Sequence, residues 1–236
     1  MTISENATLA ELVNENYRVA SVLERYRMDY CCRGKRTLQT VCNEQGLDLE
    51  KISGELQALL QQSPVAEQEP WLIAERLRMT ALVDHIESQH HHYVKNEIPV
   101  ISALLERVAG KHGAKHPELV QIREKFMSLA DDLLFHLRKE EKILFPAIRQ
   151  FEAGVAEEQH PSALLTPIAV MEAEHESAGD EMEAIRQLSN EYMPPADACT
   201  SYRIVFQCLR DFENDLHRHV HLENNVLFPS IAGLAG

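Results

Sequence analysis

Long apolar runs are missing from this chain of 236 residues. None approaches the roughly 20 residues that a membrane span needs, which excludes a helical membrane protein. The opening MTISENATLAEL has neither the basic nor the apolar part of a secretory signal, so the expected location is the cytoplasm. Positive charge is scarce as well: 23 Lys and Arg stand against 37 Asp and Glu, a formal net charge of −14. Such a chain repels phosphate backbones, and nucleic acid is not an expected partner. The five cysteines (Cys31, Cys32, Cys42, Cys199 and Cys208) are odd in number and include no C-x-x-C pair, which argues against a disulfide framework and a cysteine-type zinc site. Histidine is absent before His85, and all 12 lie from that position onward. Whatever histidine does here belongs to the C-terminal part.

What is present is a composition of 44% apolar and 25% charged residues, which fits a packed core. Two amphipathic helices are predicted near the start, Leu9 to Tyr26 and Leu38 to Leu60, joined by the loop DYCCRGKRTL. The polar, proline-bearing stretch QQSPVAEQEP at 61–70 reads as a linker, dividing a small helical, cysteine-containing domain (1–62) from a larger one (70–236). After Trp71 strand-like alternation is absent, and four long helical patterns follow at about 71–108, 117–151, 161–190 and 197–232. The fold class is all-α, a four-helix bundle behind a small helical domain.

Three helices show inward stripes with polar residues at their centres. They run Ile122, Phe126, Leu129, Leu133, His136, Glu140, Ile143, Ala147; then Leu164, Ile168, Met171, His175, Ala178, Met182, Ile185; then Val205, Cys208, Phe212, Leu216, His219, Glu223, Val226. A buried ionised carboxylate costs several kcal/mol unless a positive charge answers it. No Lys or Arg shares these stripes, which leaves a metal as the natural partner.

The segments HLRKEEKILFP (from His136) and HVHLENNVLFP (from His219) align without gaps as H-x-x-x-E-x-x-x-L-F-P. His91 and His175 are separated by almost the same interval as His136 and His219, so each half holds a lone His followed at a matching distance by a His-x-x-x-Glu pair. This is the mark of a duplicated helix hairpin. Four-residue spacing stacks His and Glu on one helix face, where they can share an ion. A single such pair is ordinarily a surface ion pair; two copies inside apolar stripes are not. The site residues read in this way are His91, His136, Glu140, His175, His219 and Glu223. Four imidazoles and two carboxylates suit two adjacent ions, with the carboxylates drawing the preference toward iron or manganese.

Competing histidines are weighed by position. His217 and His221 lie about 200° from the ligand face of their helix, on a face expected to be solvated. Among His90, His91 and His92 the choice is open, since Val83, Ile86, His90 and Val94 make a stripe of their own; the repeat favours His91. His85, His112, His116 and His160 have no partner pattern. Leu-Phe-Pro reads as two core side chains followed by a proline that bends or ends the helix.

With MDYCCRGKRTL (28–38), HLRKEEKILFP, MEAEHESAG (171–179) and HLENNVLFP (221–229) in view, the chain resembles the repair-of-iron-centres family, the ScdA-like di-iron proteins. The resemblance runs nearly end to end. It implies a haemerythrin-like bundle whose two non-haem iron ions, with or without an oxo bridge, are held by the six residues above. It further implies repair of damaged iron-sulfur proteins under nitrosative or oxidative stress through supply of labile iron, and a homodimer through the first domain. The alternatives are a nitric oxide or peroxide reductase and a gas-binding sensor or carrier. The oxygen-carrying haemerythrins have five His where this set has four, which leaves a position for solvent, nitric oxide or oxygen. Cys31 and Cys32 are either a loop anchor or a redox or iron-transfer pair, and Arg33, Lys35 and Arg36 nearby favour thiolate. Arg33 departs from the family's Cys-Cys-Gly-Gly, which raises the question of whether this loop needs a left-handed backbone there.

Overall fold

The structure is a computed structural model that describes residues 4, 6–61, 78–154 and 162–234. Trp71, His160 and the expected linker from residue 62 onward lie outside the described residues. At the start, the Thr8 hydroxyl accepts from the Glu11 amide at 3.2 Å while the Glu11 carboxylate accepts from the Thr8 amide at 2.8 Å, and this reciprocal cap opens α1 (Leu9–Glu15). The single helix expected from Leu9 to Tyr26 is broken at Asn16. Its extended backbone (φ −155°) ends α1, and its side chain accepts from the Arg18 amide to begin a 3-10 turn, Tyr17–Val19, and then α2 (Ala20–Arg25). Leu38 to Leu60 is also two helices, α3 (Leu38–Gln45) and α4 (Leu49–Gln61), because Gly46 takes a left-handed φ of 66° that closes α3.

The larger part comprises α5 (Met79–Ile86), α6 (His92–His112), α7 (Glu118–Lys139), α8 (Phe145–Glu152), α9 (Ser162–Leu188), α10 (Thr200–Leu222) and α11 (Phe228–Ala232). They form four rods, because π-turns join α5 to α6 (Glu87–His91), α7 to α8 (Glu140–Leu144) and α10 to α11 (Glu223–Leu227). A π-turn inserts one residue and so rotates everything beyond it by about 100°. This corrects the stripes. On α9, which has no π-turn, the expected stripe from Leu164 to Ile185 is buried throughout. Beyond Glu140, by contrast, Ile143 is 64% exposed, and Leu144, Phe145 and Ile148 are buried instead. Beyond Glu223 the buried apolar residues are Leu227, Phe228 and Ile231 rather than Val226. Pro146 and Pro229 do not end their helices; each stands at the second position of the next segment, where its missing amide costs little.

Two apolar clusters fill the bundle. One contains Ile86, Phe145, Ile168 and Phe228; the other contains Ile101, Phe126, Met182 and Phe212 and continues into the N-terminal helices through Leu9, Leu23 and Leu38. The histidines and glutamates of the stripes occupy the layer between them. The N-terminal part lies against α10: the Tyr30 ring packs on His221 and His217, with centroids 5.4 and 6.2 Å away, and Asn225 Nδ2 donates to the Cys31 carbonyl at 2.8 Å. The α10 face expected to be solvated is therefore covered, with Glu213 and His221 only 4% and 3% exposed. Arg33 is not among the residues with positive φ. The residue this loop requires is Gly34, where a Cβ would stand 2.3 Å from the Tyr30 carbonyl oxygen.

Candidate metal centre

Each of the six residues singled out from the sequence comes from a rod of the bundle. His91 closes the first π-turn, His136 and His219 lie in the last turns of α7 and α10, Glu140 and Glu223 begin the next two π-turns, and His175 sits midway along α9. All six are buried, at 0–4% exposure. The first π-turn also separates the neighbouring histidines. By inserting a residue after Ile86 it aims His91 inward, while His90 turns aside to Asp215 Oδ1 at 3.0 Å.

Two groups of donor atoms result, His91–Glu140–His219–Glu223 and His136–Glu140–His175–Glu223, each with its donors within 4.8 Å of one another. The carboxylates straddle both. Glu140 turns Oε1 toward His136 Nε2 (3.3 Å) and Oε2 toward His91 Nε2 (3.4 Å). Glu223 turns Oε2 toward His175 Nε2 (3.2 Å) and Oε1 toward His219 Nε2 (3.1 Å). His136 Nε2 and His175 Nε2 stand 3.0 Å apart, with ring planes at 63°. Two imidazoles at right angles on one ion, each about 2.1 Å away, would have that separation. Both oxygens of Glu140, Oε2 of Glu223 and Nε2 of His91 are buried without a hydrogen-bond partner. Buried polar atoms rarely go unsatisfied, and these all face the same layer. The arrangement suits a metal centre.

Outer partners fix three of the rings. His91 Nδ1–H donates to Glu141 at 2.8 Å, His136 Nδ1–H to Glu174 at 2.7 Å, and His175 Nδ1–H to Asn224 Oδ1 at 2.8 Å. Lys95 and Lys139 in turn pair with Glu141 and Glu174. Such contacts hold the rings with Nε2 inward and make them better donors. Burial alone would lower the His91 and His136 pKa values, but Glu140 and Glu223 outweigh it and raise them to about 10 and about 9. Burial would raise the Glu223 carboxyl, yet His219, His175 and His91 hold it well below the ordinary value. Without a cation, then, protons on two imidazoles balance two carboxylates.

A cavity of about 280 Å³ between α7, α9 and α10 reaches His136, His175 and His219 past Leu133, Ala178 and Leu216. On the other side, Cys32 Sγ lies 3.6 Å from the His175 carbonyl oxygen and 3.7 Å from Cys31 Sγ, and both cysteines are free thiols. Asp29, Cys31 and Cys32 form a further group of close donor atoms. The Cys31 thiol departs from the expected thiolate: the hydrogen bond to Cys32, burial and the Asp29 carboxylate push its pKa well up. Arg33, which was expected to oppose this, pairs instead with Glu176 and Asp180, and Arg36 with Glu44.

The outer partners Glu141, Glu174 and Asn224 were missed in the sequence, although the repeat points to them. Glu141 and Asn224 each follow the glutamate of the pair, and Glu174 immediately precedes a lone His.

Comparison with known proteins agrees with this architecture. Residues 82–231 match the model of the hemerythrin HHE cation binding domain, and residues 5–60 match ScdA_N, a domain of unknown function. Over 227 residues the chain is 35% identical to the iron-sulfur cluster repair protein YtfE of Escherichia coli, covering 95% of this chain and 96% of that one. It is 32% identical over 223 residues to a probable iron-sulfur cluster repair protein of Haemophilus influenzae (94% and 95% covered), and 31% identical over 224 residues to YtfE of Yersinia pestis (95% and 96%). An ScdA-type domain followed by a cation-binding bundle, alike over nearly the whole length, places the chain in the repair-of-iron-centres (ScdA-like) family.

Proposed function

We propose that this protein repairs iron-sulfur clusters by holding two iron ions at the six-residue centre and supplying them to damaged proteins. The observation that carries the reading is the pair of straddling carboxylates: one oxygen of each faces each pair of imidazoles, as two neighbouring ions with shared bridges require. The names of the relatives give the repair role. Imidazole with carboxylate suits iron or manganese by ligand hardness, and bound iron would add one-electron chemistry. Two carboxylates are few beside the four of the ferritin-like sites, so His91, His136, Glu140, His175, His219 and Glu223 would hold ferrous ions loosely enough to leave. As an ion departs, His91 and His136 take up protons that keep the layer close to neutral. Cys32, 3.6 Å from the His175 carbonyl oxygen, forms with Asp29 and Cys31 the next donor set on a path outward.

The test is anaerobic purification with elemental analysis, Mössbauer spectra of iron-57-labelled protein, and incubation with a cluster-deficient iron-sulfur protein. Two coupled irons per chain that move to the acceptor support the reading; one zinc, no metal, or iron that never moves refutes it. A second reading, reduction of nitric oxide at the same centre, is favoured by the cavity that reaches three of the imidazoles past apolar side chains. Steady consumption of nitric oxide with an electron donor and no loss of iron would establish it in place of donation.

A further inference from the structure

The duplication that builds the centre is complete in the inner layer and broken in the outer one. In one half, Glu174 stands immediately before His175 and accepts from His136 Nδ1–H at 2.7 Å. The corresponding residue in the other half stands immediately before His91 and would hold His219; it is His90. His90 does not hold it. Its ring lies flat on His219, with centroids 5.6 Å apart and planes within 4°, and its Nδ1–H is committed to Asp215 at 3.0 Å, one turn before His219 on the same helix. His219 Nδ1 is left buried without a hydrogen-bond partner, in a residue 1% exposed. The other pair to compare matches: His91 donates to Glu141, and His175 donates to Asn224 at the equivalent place.

We propose that the two cation positions are unequal, and that the ion between His91 and His219 leaves first because the His219 ring has no outer acceptor. The inference rests on the reading that the centre holds two transferable iron ions. At the His136–His175 position both rings are anchored through Nδ1. At the His91–His219 position only His91 is. A ring with an unanswered Nδ1–H is a weaker donor at Nε2, and no hydrogen bond at Nδ1 fixes its orientation. The cavity is lined by His136, His175 and His219 and not by His91, so it opens no better on the His91–His219 position, and the difference lies in the hold. Loss of an outer partner ordinarily lowers metal affinity by about 10- to 100-fold, and a difference of that order is expected between the two positions.

The experiment loads the full-length chain anaerobically with ferrous iron, mixes it with excess ferrous chelator and follows release by stopped-flow absorbance, with Mössbauer spectra of samples frozen between phases. Two phases of one ion per chain, separated about tenfold or more, are expected. In His90→Gln the new amide can donate to Asp215 and accept from His219, so the fast phase should slow toward the slow one. Glu174→Ala, at a partly exposed position, removes the acceptor of His136 Nδ1–H and should speed the slow phase and leave the fast one alone. Release of both ions in a single phase by the parent chain, or a fast phase that His90→Gln leaves unchanged while Glu174→Ala still acts, overturns the inference without touching the two-ion reading. Uptake of fewer than two ions overturns both.

Discussion

Binding of cations at this centre should expel protons in a countable way. In the metal-free chain His91 and His136 have pKa values of about 10 and about 9, so both rings are protonated at neutral pH. Each Nε2 must lose its proton before it can ligate, and two ions should therefore release close to two protons per chain. The sign follows: a raised imidazole pKa means that protons compete with metal below it, so affinity climbs with pH until the higher pKa is passed. Each proton contributes about 1.4 kcal/mol per pH unit, so the combined two-ion affinity should rise by nearly 3 kcal/mol, about 100-fold, for each unit between pH 6 and pH 8. Calorimetric titration with ferrous iron under nitrogen measures this directly, in buffers of equal pH but different ionisation enthalpy. A slope of heat against buffer enthalpy near two protons is expected at pH 7. A slope near zero would mean that the rings were neutral at the start and that the balance of imidazolium against carboxylate is wrong.

Three further outcomes are expected. Glu140→Ala and Glu223→Ala each remove a carboxylate that faces both groups, so each should cut iron loading at both positions while circular dichroism shows an intact bundle; full loading would take these residues out of the centre. His217→Ala should load normally, because Tyr30 and the N-terminal part occupy its surroundings and no ligand group includes it. Glu213 is pushed up from 4.5 to about 7 chiefly by burial, only partly offset by Arg186, so its ionisation is more costly in the folded than in the unfolded chain. Stability should fall as pH rises from 4.5 to 7, and Glu213→Gln should recover up to about 3 kcal/mol at pH 8 and almost nothing at pH 4.5; equal melting shifts at both pH values would refute this.

That six polar side chains would meet was legible in the sequence because the signal is local and repeated: four-residue spacing on an apolar stripe, in two copies. The bundle was legible for the same reason. What escaped were features set by backbone insertions or by non-local packing. Nothing in Ile86–His92 announces a π-turn, and an unbroken α-helix would have aimed His90 inward as readily as His91. The same insertions after Glu140 and Glu223 moved the buried stripe from Ile143 and Val226 to their neighbours. Asn16 and Gly46, which break the N-terminal helices, are ordinary helix-ending residues whose effect was masked by the apolar periodicity around them. The covered face of His217 and His221 depends on Tyr30, at the opposite end of the chain, and no pattern along α10 could have revealed it.

The two halves of the centre have kept different things. Inner donors are fixed by geometry: a glutamate that must face two imidazole pairs cannot move along its helix, and both copies retain His-x-x-x-Glu. Outer partners act through one hydrogen bond and tolerate exchange, so Glu141 in one copy answers to Asn224 in the other, and Glu174 to His90. At each of these places one copy has a carboxylate and the other does not. Had both carboxylates been kept, the layer around the cations would carry two more negative charges, with Lys95 and Lys139 already paired to the ones that remain. A more negative shell holds cations more strongly. On the proposed reading of a centre that gives its ions up, the places without a carboxylate, Asn224 and His90, are the ones that favour release.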